Sequence, residues 1–514
     1  LFGLLVDRVG RRSLFMMVGS LALMPVFLVL GYTHWSLWIS TAMIGLAFSL
    51  ATLAVAVLVT VQYVGGADLA VRLPWIPAFG AWWALGLDGM GLIMVLMTVV
   101  LTPIVLWAEW GVRGHGRWNA QGYFAMVLAL EGTALLTFLA DDVLLFYVFF
   151  EATLIPMYFL IGGFGGALRR AAALKFLMFN LVGGFILLAS VIGLFAVSAA
   201  GGTPSYLLSD LAGQPMATNT ARWLMVGFLI AFVIKAPMVP LHTWLPAAAE
   251  QATPGSSTLM VGVLDKIATF AMIKFCIGLF PEASAWVAPF MIALALISII
   301  YGAAAAIAST NLLRLVSYTS VSHFGFMVLG IYIFTTQSIN GTVFFMINHG
   351  FSTAALFLAV GFLIKRRGSA DISDFGGVEK ATPVLAGAVL LSVLSAISLP
   401  GMSTFVSEFL VIAGTWTREP WVAAVAALGI ILAATYGLRL YQRTMTGPLP
   451  DEVAPHFTHD LDAREKSVLI PVIAVILLFG FMPGPIMQLA EPTAKAAMQR
   501  MQLDDPVAPA KGEK

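Results

Sequence analysis

The chain has 514 residues, 60% hydrophobic and only 10% charged, with a formal net charge of +1 and a mean hydropathy of +0.95. Soluble globular chains carry about 25% charged residues, so this composition excludes a soluble enzyme and a secreted disulfide scaffold, and the near-zero charge excludes a nucleic-acid binder. The single cysteine, Cys276, excludes an internal disulfide and any thiolate-held metal or iron–sulfur cluster within the chain. The class that remains is an all-α polytopic membrane protein. No short apolar region followed by a small-residue cleavage site opens the chain, so no cleaved signal peptide is expected.

In chain order, apolar stretches of spanning length predict about 14 transmembrane helices. They lie near 14–32, 37–63, 85–108, 118–138, 142–163, 173–199, 222–245, 255–279, 285–308, 312–334, 341–364, 382–412, 420–444 and 467–490. Pro237 and Pro240 interrupt the seventh, and Pro400-Gly401 interrupts the twelfth, so broken helices are expected there. In both places the break stands beside an ionisable residue, Lys235 and Glu408, as in transporters that bind at interrupted helices. The sequence divides into an atypical segment 1–50, a membrane domain 51–490 and a polar tail 491–514.

The informative residues are the charges that hydrocarbon should exclude. Glu151 is the only charge in residues 143–167, Lys235 in 223–249, Arg314 in 283–364 and Glu408 in 381–417. Asp265, Lys266 and Lys274 share the span 255–279. Each charge held mid-membrane costs about 2.5–3.5 kcal/mol on insertion scales, so it must be paired, wet or neutralised. Lys274 is near a span end and is expected to snorkel; Arg314 opens its span as an anchor, and Asp265 reads as a partner that ties two helices together. Glu151, Lys235, Lys266 and Glu408 sit deeper, and two acids with two lysines suit protons better than organic solutes. His242, His323 and His349 fall in or beside spans, with Ser320, Ser322 and Asn348 as polar neighbours. Histidine titrates near physiological pH, so a Lys/His/Glu chain linked by water reads as a proton path. No histidine pair has i, i+4 spacing for a metal.

Several segments resemble the antiporter-like subunits of respiratory complex I. FYVFFEATLIPMYFLIGGFGG at 146–166 is similar to that family's glutamate-bearing helix, and VIKAPMVPLHTWLP at 233–246 to its lysine-bearing broken helix. VGVLDKIATF (261–270), LVSYTSVSHFGFM (315–327), FMINHGFSTAALF (345–357) and SLPGMSTFVSEF (398–409) resemble its later motifs in order. A glutamate at position 408 resembles the M-type branch, whereas the sister L and N types carry lysine there. The resemblance implies 14 helices holding two inverted five-helix repeats. It implies that Glu151 pairs with Lys235, that Lys266 passes protons with help from His323 and His349, that Glu408 serves the terminal transfer, and that His242 helps hydrate the broken helix. It further implies a multi-pass place in the energy-transducing inner membrane beside L-type and N-type subunits, with no cofactor in this chain. NADH, FMN, iron–sulfur clusters and quinone would belong to partner subunits.

Some positions depart from the family pattern: Ala247 follows HTWLP, Asn311 and Leu313 stand where an acid and a lysine are common, and Asp265 where leucine is usual. GLLVDRVGRR at 3–12 resembles instead a loop motif of major-facilitator carriers. A carrier of that type would repeat the motif about half a chain later, and no second copy occurs. A cation/proton antiporter subunit is the alternative, because the same helices and charges would serve it.

Overall fold

A computed structural model of the chain describes residues 37–116, 118–202 and 204–506. The span expected at 14–32 and the carrier-like motif at 3–12 lie outside the described residues.

The described chain begins with α1 (Leu37–Val64), then a short antiparallel hairpin of β1 (Val71–Ile76) and β2 (Ala81–Leu85). Among the described residues the hairpin is the one departure from the all-α expectation: Gly80, at φ 63°, supplies the left-handed turn residue that joins the two strands. Helices α2 (Gly89–Ala108), α3 (Ala120–Leu139), α4 (Val143–Ala152), α5 (Leu154–Phe164), α6 (Arg169–Ala200) and α7 (Thr218–Lys235) follow. Asp88, Asn119 and Asp142 cap α2, α3 and α4, each side chain accepting from an early backbone N–H that the helix cannot satisfy. Next come α8 (Trp244–Gln251), α9 (Pro254–Leu259), a π-helical turn over Met260–Leu264, α10 (Lys266–Ala271) and a second π turn over Met272–Ile277. The remainder is α11 (Pro281–Ala308), α12 (Leu312–Tyr332), α13 (Thr336–Arg367), α14 (Pro383–Ala396), α15 (Ser403–Arg418), α16 (Pro420–Met445), α17 (Ala463–Phe481) and α18 (Gly484–Met501).

Among the described residues nine helical stretches are long and apolar enough to cross a membrane, or ten when the pair α17 and α18, bent by 71°, counts as one. These ten coincide with predicted stretches. Three other predicted stretches are helical but interrupted: 222–245 at Pro237 and Pro240, 255–279 by the two π turns, and 382–412 at Pro400-Gly401. Proline removes a donor and crowds the preceding turn, which is why two of the three break.

The chain divides into two compact units. One comprises the described residues up to Lys235, with Thr243–Ala268 and Asp462–Leu469; the other comprises Ala236–His242, Thr269–Leu461 and the rest from Ile470. In the first unit, α6 packs on α7, where Gly183 faces Ala231 and Ile234. In the second, α13 is capped by a Thr335/Ser338 capping box and ends at Gly368 in the left-handed region, with Lys365, Arg366 and Arg367 in its last turn. Those cations suit the negative end of the helix dipole. The apolar window of α13 is 100% buried, so this helix is the axis of its unit. At 32 residues it is about 48 Å long by its rise, more than the roughly 30 Å hydrocarbon core. Outward faces carry Phe185, Trp223, Phe290, Ile431 and Leu478, large apolar side chains that water would penalise and lipid accepts.

Candidate functional site

Lys235 and Glu151 meet at a helix break in the first unit. Pro156 lacks a backbone donor, so the bond to Ala152 is lost and the span 143–164 divides at Thr153 into α4 and α5. Thr153 Oγ1 donates to the Phe150 carbonyl at 2.7 Å. The Lys235 ammonium occupies this break: it donates to the Phe150 carbonyl at 3.0 Å and to Thr153 Oγ1 at 3.1 Å, and sits 3.6 Å from the Phe150 ring centre. Lys235 is the last residue of α7, because Ala236-Pro237 cannot continue the helix. Trp244 Nε1 donates to the Ile234 carbonyl at 2.9 Å, satisfying an acceptor that the break frees.

Glu151 is one residue from the carbonyl that holds Lys235, and the two groups interact through charge. The Glu151 carboxylate oxygens are buried and make no hydrogen bond among the described residues. Gly184 on α6 faces them, and a Cβ there would overlap the carboxylate. Buried polar groups are satisfied by protein, water or proton. The Lys235 hydrogen bonds go to Phe150 and Thr153 rather than to this carboxylate.

Lys266 is fully buried in the same unit and donates to the Val261 carbonyl at 2.6 Å, within the first π turn. Asp265 precedes it and interacts through charge with both Lys266 and Lys235. Glu131, mid-way along α3, is 2% exposed and has Thr102 of α2 beside it. It is the only charge in residues 120–139, a signal as plain as that of Glu151, and the sequence reasoning passed over it.

The second unit brings His323, His349 and Glu408 together. His323 Nε2 lies 3.9 Å from Glu408 Oε1, both side chains being 3% exposed, and the His323 and His349 rings are 5.0 Å apart, edge to face. Glu408 follows a break of six residues between α14 and α15, where Ser398 (φ 55°) and Gly401 (φ 95°) turn the chain. Freed carbonyls are satisfied by side chains: Thr404 donates to Ser395 at 2.5 Å and Tyr436 to Ala396 at 3.4 Å. Asn348 Nδ2 donates to the Ser403 carbonyl at 3.0 Å and to Ser407 Oγ at 2.6 Å, tying α13 to the turn that presents Glu408. His242 is buried in this unit, 5.0 Å from the Tyr301 ring and 6.1 Å from that of Tyr318. Arg314 is exposed in the first turn of α12, and Lys274 lies 5.5 Å from the Phe270 ring.

Each unit thus holds a buried group of ionisable side chains, with hydroxyl neighbours, beside a break in a helix. A family model described as the NADH:quinone oxidoreductase/Mrp antiporter membrane region matches residues 140–433. NADH-quinone oxidoreductase subunit M of Mycobacterium tuberculosis is 43% identical over 498 residues, 90% of each chain. A chain of respiratory complex I from Thermus thermophilus, solved with bound NADH, is 31% identical with a TM-score of 0.84, covering 95% of this chain and 99% of that one. A chain of the Mrp complex from Dietzia sp. DQ12-45-1b shares the fold, at 21% identity and a TM-score of 0.80, over 95% of this chain and 99% of that one. The chain belongs to the NADH:quinone oxidoreductase/Mrp antiporter family, on its complex I subunit M branch.

Proposed function

We propose that the chain translocates protons as a membrane-arm subunit of an NADH:quinone oxidoreductase in the energy-transducing inner membrane, along Glu151, Lys235, Lys266, His323, His349 and Glu408. The observation that carries the path is the Lys235 ammonium seated in the α4/α5 break beside a Glu151 carboxylate that makes no hydrogen bond among the described residues. Two charges so placed hold a proton in common, and moving either one changes where it rests. Withdrawing the Glu151 charge leaves the ammonium without its counter-charge and releases its proton towards Lys266. His323 and His349 then carry it to Glu408, whose carboxylate faces His323. His242 hydrates the stretch after Lys235.

In this reading residues 51–490 form the translocating domain, with fourteen helices and two inverted five-helix repeats, flanked by the segment 1–50 and the tail 491–514. L-type and N-type subunits are its neighbours, and NADH, FMN, iron–sulfur clusters and quinone belong to other subunits. The cation/proton antiporter alternative uses the same fold and differs in partners and ion dependence. Native-gel migration from gently solubilised membranes tests the assignment. The chain is expected in a very large NADH-oxidising band, with pumping independent of sodium. A band near its own 54.9 kDa plus detergent, without that activity, would overturn it.

A further inference from the structure

Asp265 is 1% exposed, and its two carboxylate oxygens make no hydrogen bond among the described residues. It stands at the exit of the π turn Met260–Leu264, its backbone N–H bonding to the Met260 carbonyl at 3.1 Å. Such widened turns are uncommon, and they recur at functional positions because they re-aim the side chains that follow. Here they precede an acid and a lysine in succession, Asp265 and Lys266. Lys235 interacts through charge with two acids, Glu151 and Asp265; Asp265 interacts with two lysines, Lys266 and Lys235. In the first unit each of these four groups, Glu151, Lys235, Asp265 and Lys266, is thus within charge range of at least one of opposite sign. A carboxylate used only to neutralise one lysine would take that lysine's hydrogen bond, yet the Lys266 ammonium bonds to the Val261 carbonyl instead.

We propose that Asp265 is a proton-transfer residue between Lys235 and Lys266, the second acid to which the Lys235 proton is handed once Glu151 releases it. The inference rests on the path given above and adds a group to it. In the first step the Lys235 ammonium gives its proton to the Asp265 carboxylate, leaving a neutral amine and a neutral acid. In the second the Asp265 acid gives that proton to a neutral Lys266 amine, restoring the carboxylate and forming the ammonium. An acid that takes the proton between the two lysines spares the interior from holding two uncompensated cations at once in a low dielectric.

The test uses the assembled complex in proteoliposomes with Asp265→Asn, Asp265→Glu and Lys235→Met, assembly being checked by native gel. Asp265→Asn is expected to cut proton pumping and coupled quinone reduction on the order of 10²-fold, the scale of a lost acid–base group. Asp265→Glu is expected to restore most of it, and an infrared difference spectrum on NADH addition should lose one protonated-carboxyl band in Asp265→Asn. Wild-type pumping in Asp265→Asn with pumping abolished in Lys235→Met would overturn this proposal alone. Wild-type pumping in Lys235→Met would overturn the path and the proposal together. Should Asp265→Asn not assemble, Asp265→Glu decides: a displaced carboxyl band supports the proposal, and a spectrum identical to wild type refutes it.

Discussion

Glu408→Gln removes one charge and almost no volume, which makes it a clean test of the second unit. The carboxylate faces His323 Nε2 at 3.9 Å with both side chains nearly inaccessible. Opposite unit charges about 4 Å apart attract by about 4 kcal/mol at an effective dielectric of 20. At 1.4 kcal/mol per factor of ten, that is roughly a thousandfold at most in a step that places a positive charge on His323; water in the site reduces it, so a loss on the order of 10–10²-fold is expected. The bonds from Asn348 to Ser403 and Ser407 remain, so the turn that presents residue 408 keeps its position. The assay is acidification of proteoliposomes on NADH addition, alongside NADH oxidation by an artificial acceptor that bypasses quinone. Pumping should collapse while the bypass reaction stays at the wild-type rate. Adding His323→Ala to Glu408→Gln should lower pumping little further, because the two residues act as a unit. Wild-type pumping in Glu408→Gln, or fully additive losses in the double variant, would show that His323 and Glu408 do not act together.

Three further outcomes follow from individual contacts. Gly184→Ala places a Cβ against the Glu151 carboxylate and should slow pumping several-fold with assembly intact; unchanged pumping would mean that the carboxylate does not work from that position. Asn348→Leu strands the acceptors at Ser403 and Ser407 and should destabilise the assembled subunit by about 1–3 kcal/mol, read as faster loss of activity on heating; heat resistance equal to wild type would contradict the tie. Lys274→Ala removes a lysine lying over the Phe270 ring and should leave at least half of the pumping rate, so its complete loss would place Lys274 on the path.

The membrane charges were legible because each stands alone in an apolar run, as Glu151, Lys235 and Glu408 do. Glu131 was equally legible and was overlooked; its burial beside Thr102 makes it visible in the structure. The breaks at Pro237 and Pro400 could be read from proline chemistry, whereas the π turns around Asp265 could not. A continuous apolar run gives the same pattern for i+4 and i+5 bonding, so Asp265 read as a helix tie. The hairpin of β1 and β2 was hidden because Pro74 and the two aromatic residues Trp82 and Trp83 obscure strand alternation. Long-range partners, such as Asn348 with Ser407 or Lys235 with the Phe150 carbonyl, depend on which helices pack together, which local pattern does not encode.

The most direct measurement is the number of protons pumped per NADH oxidised by the complex carrying Lys235→Met in sealed proteoliposomes. Methionine keeps much of the lysine's length and apolar stem while removing the group that bonds to Phe150 and Thr153. The complex is expected to assemble, with slow coupled quinone reduction and with the protons carried by this subunit missing from the ratio. A ratio and a rate equal to wild type would contradict the claim that Lys235 carries the proton.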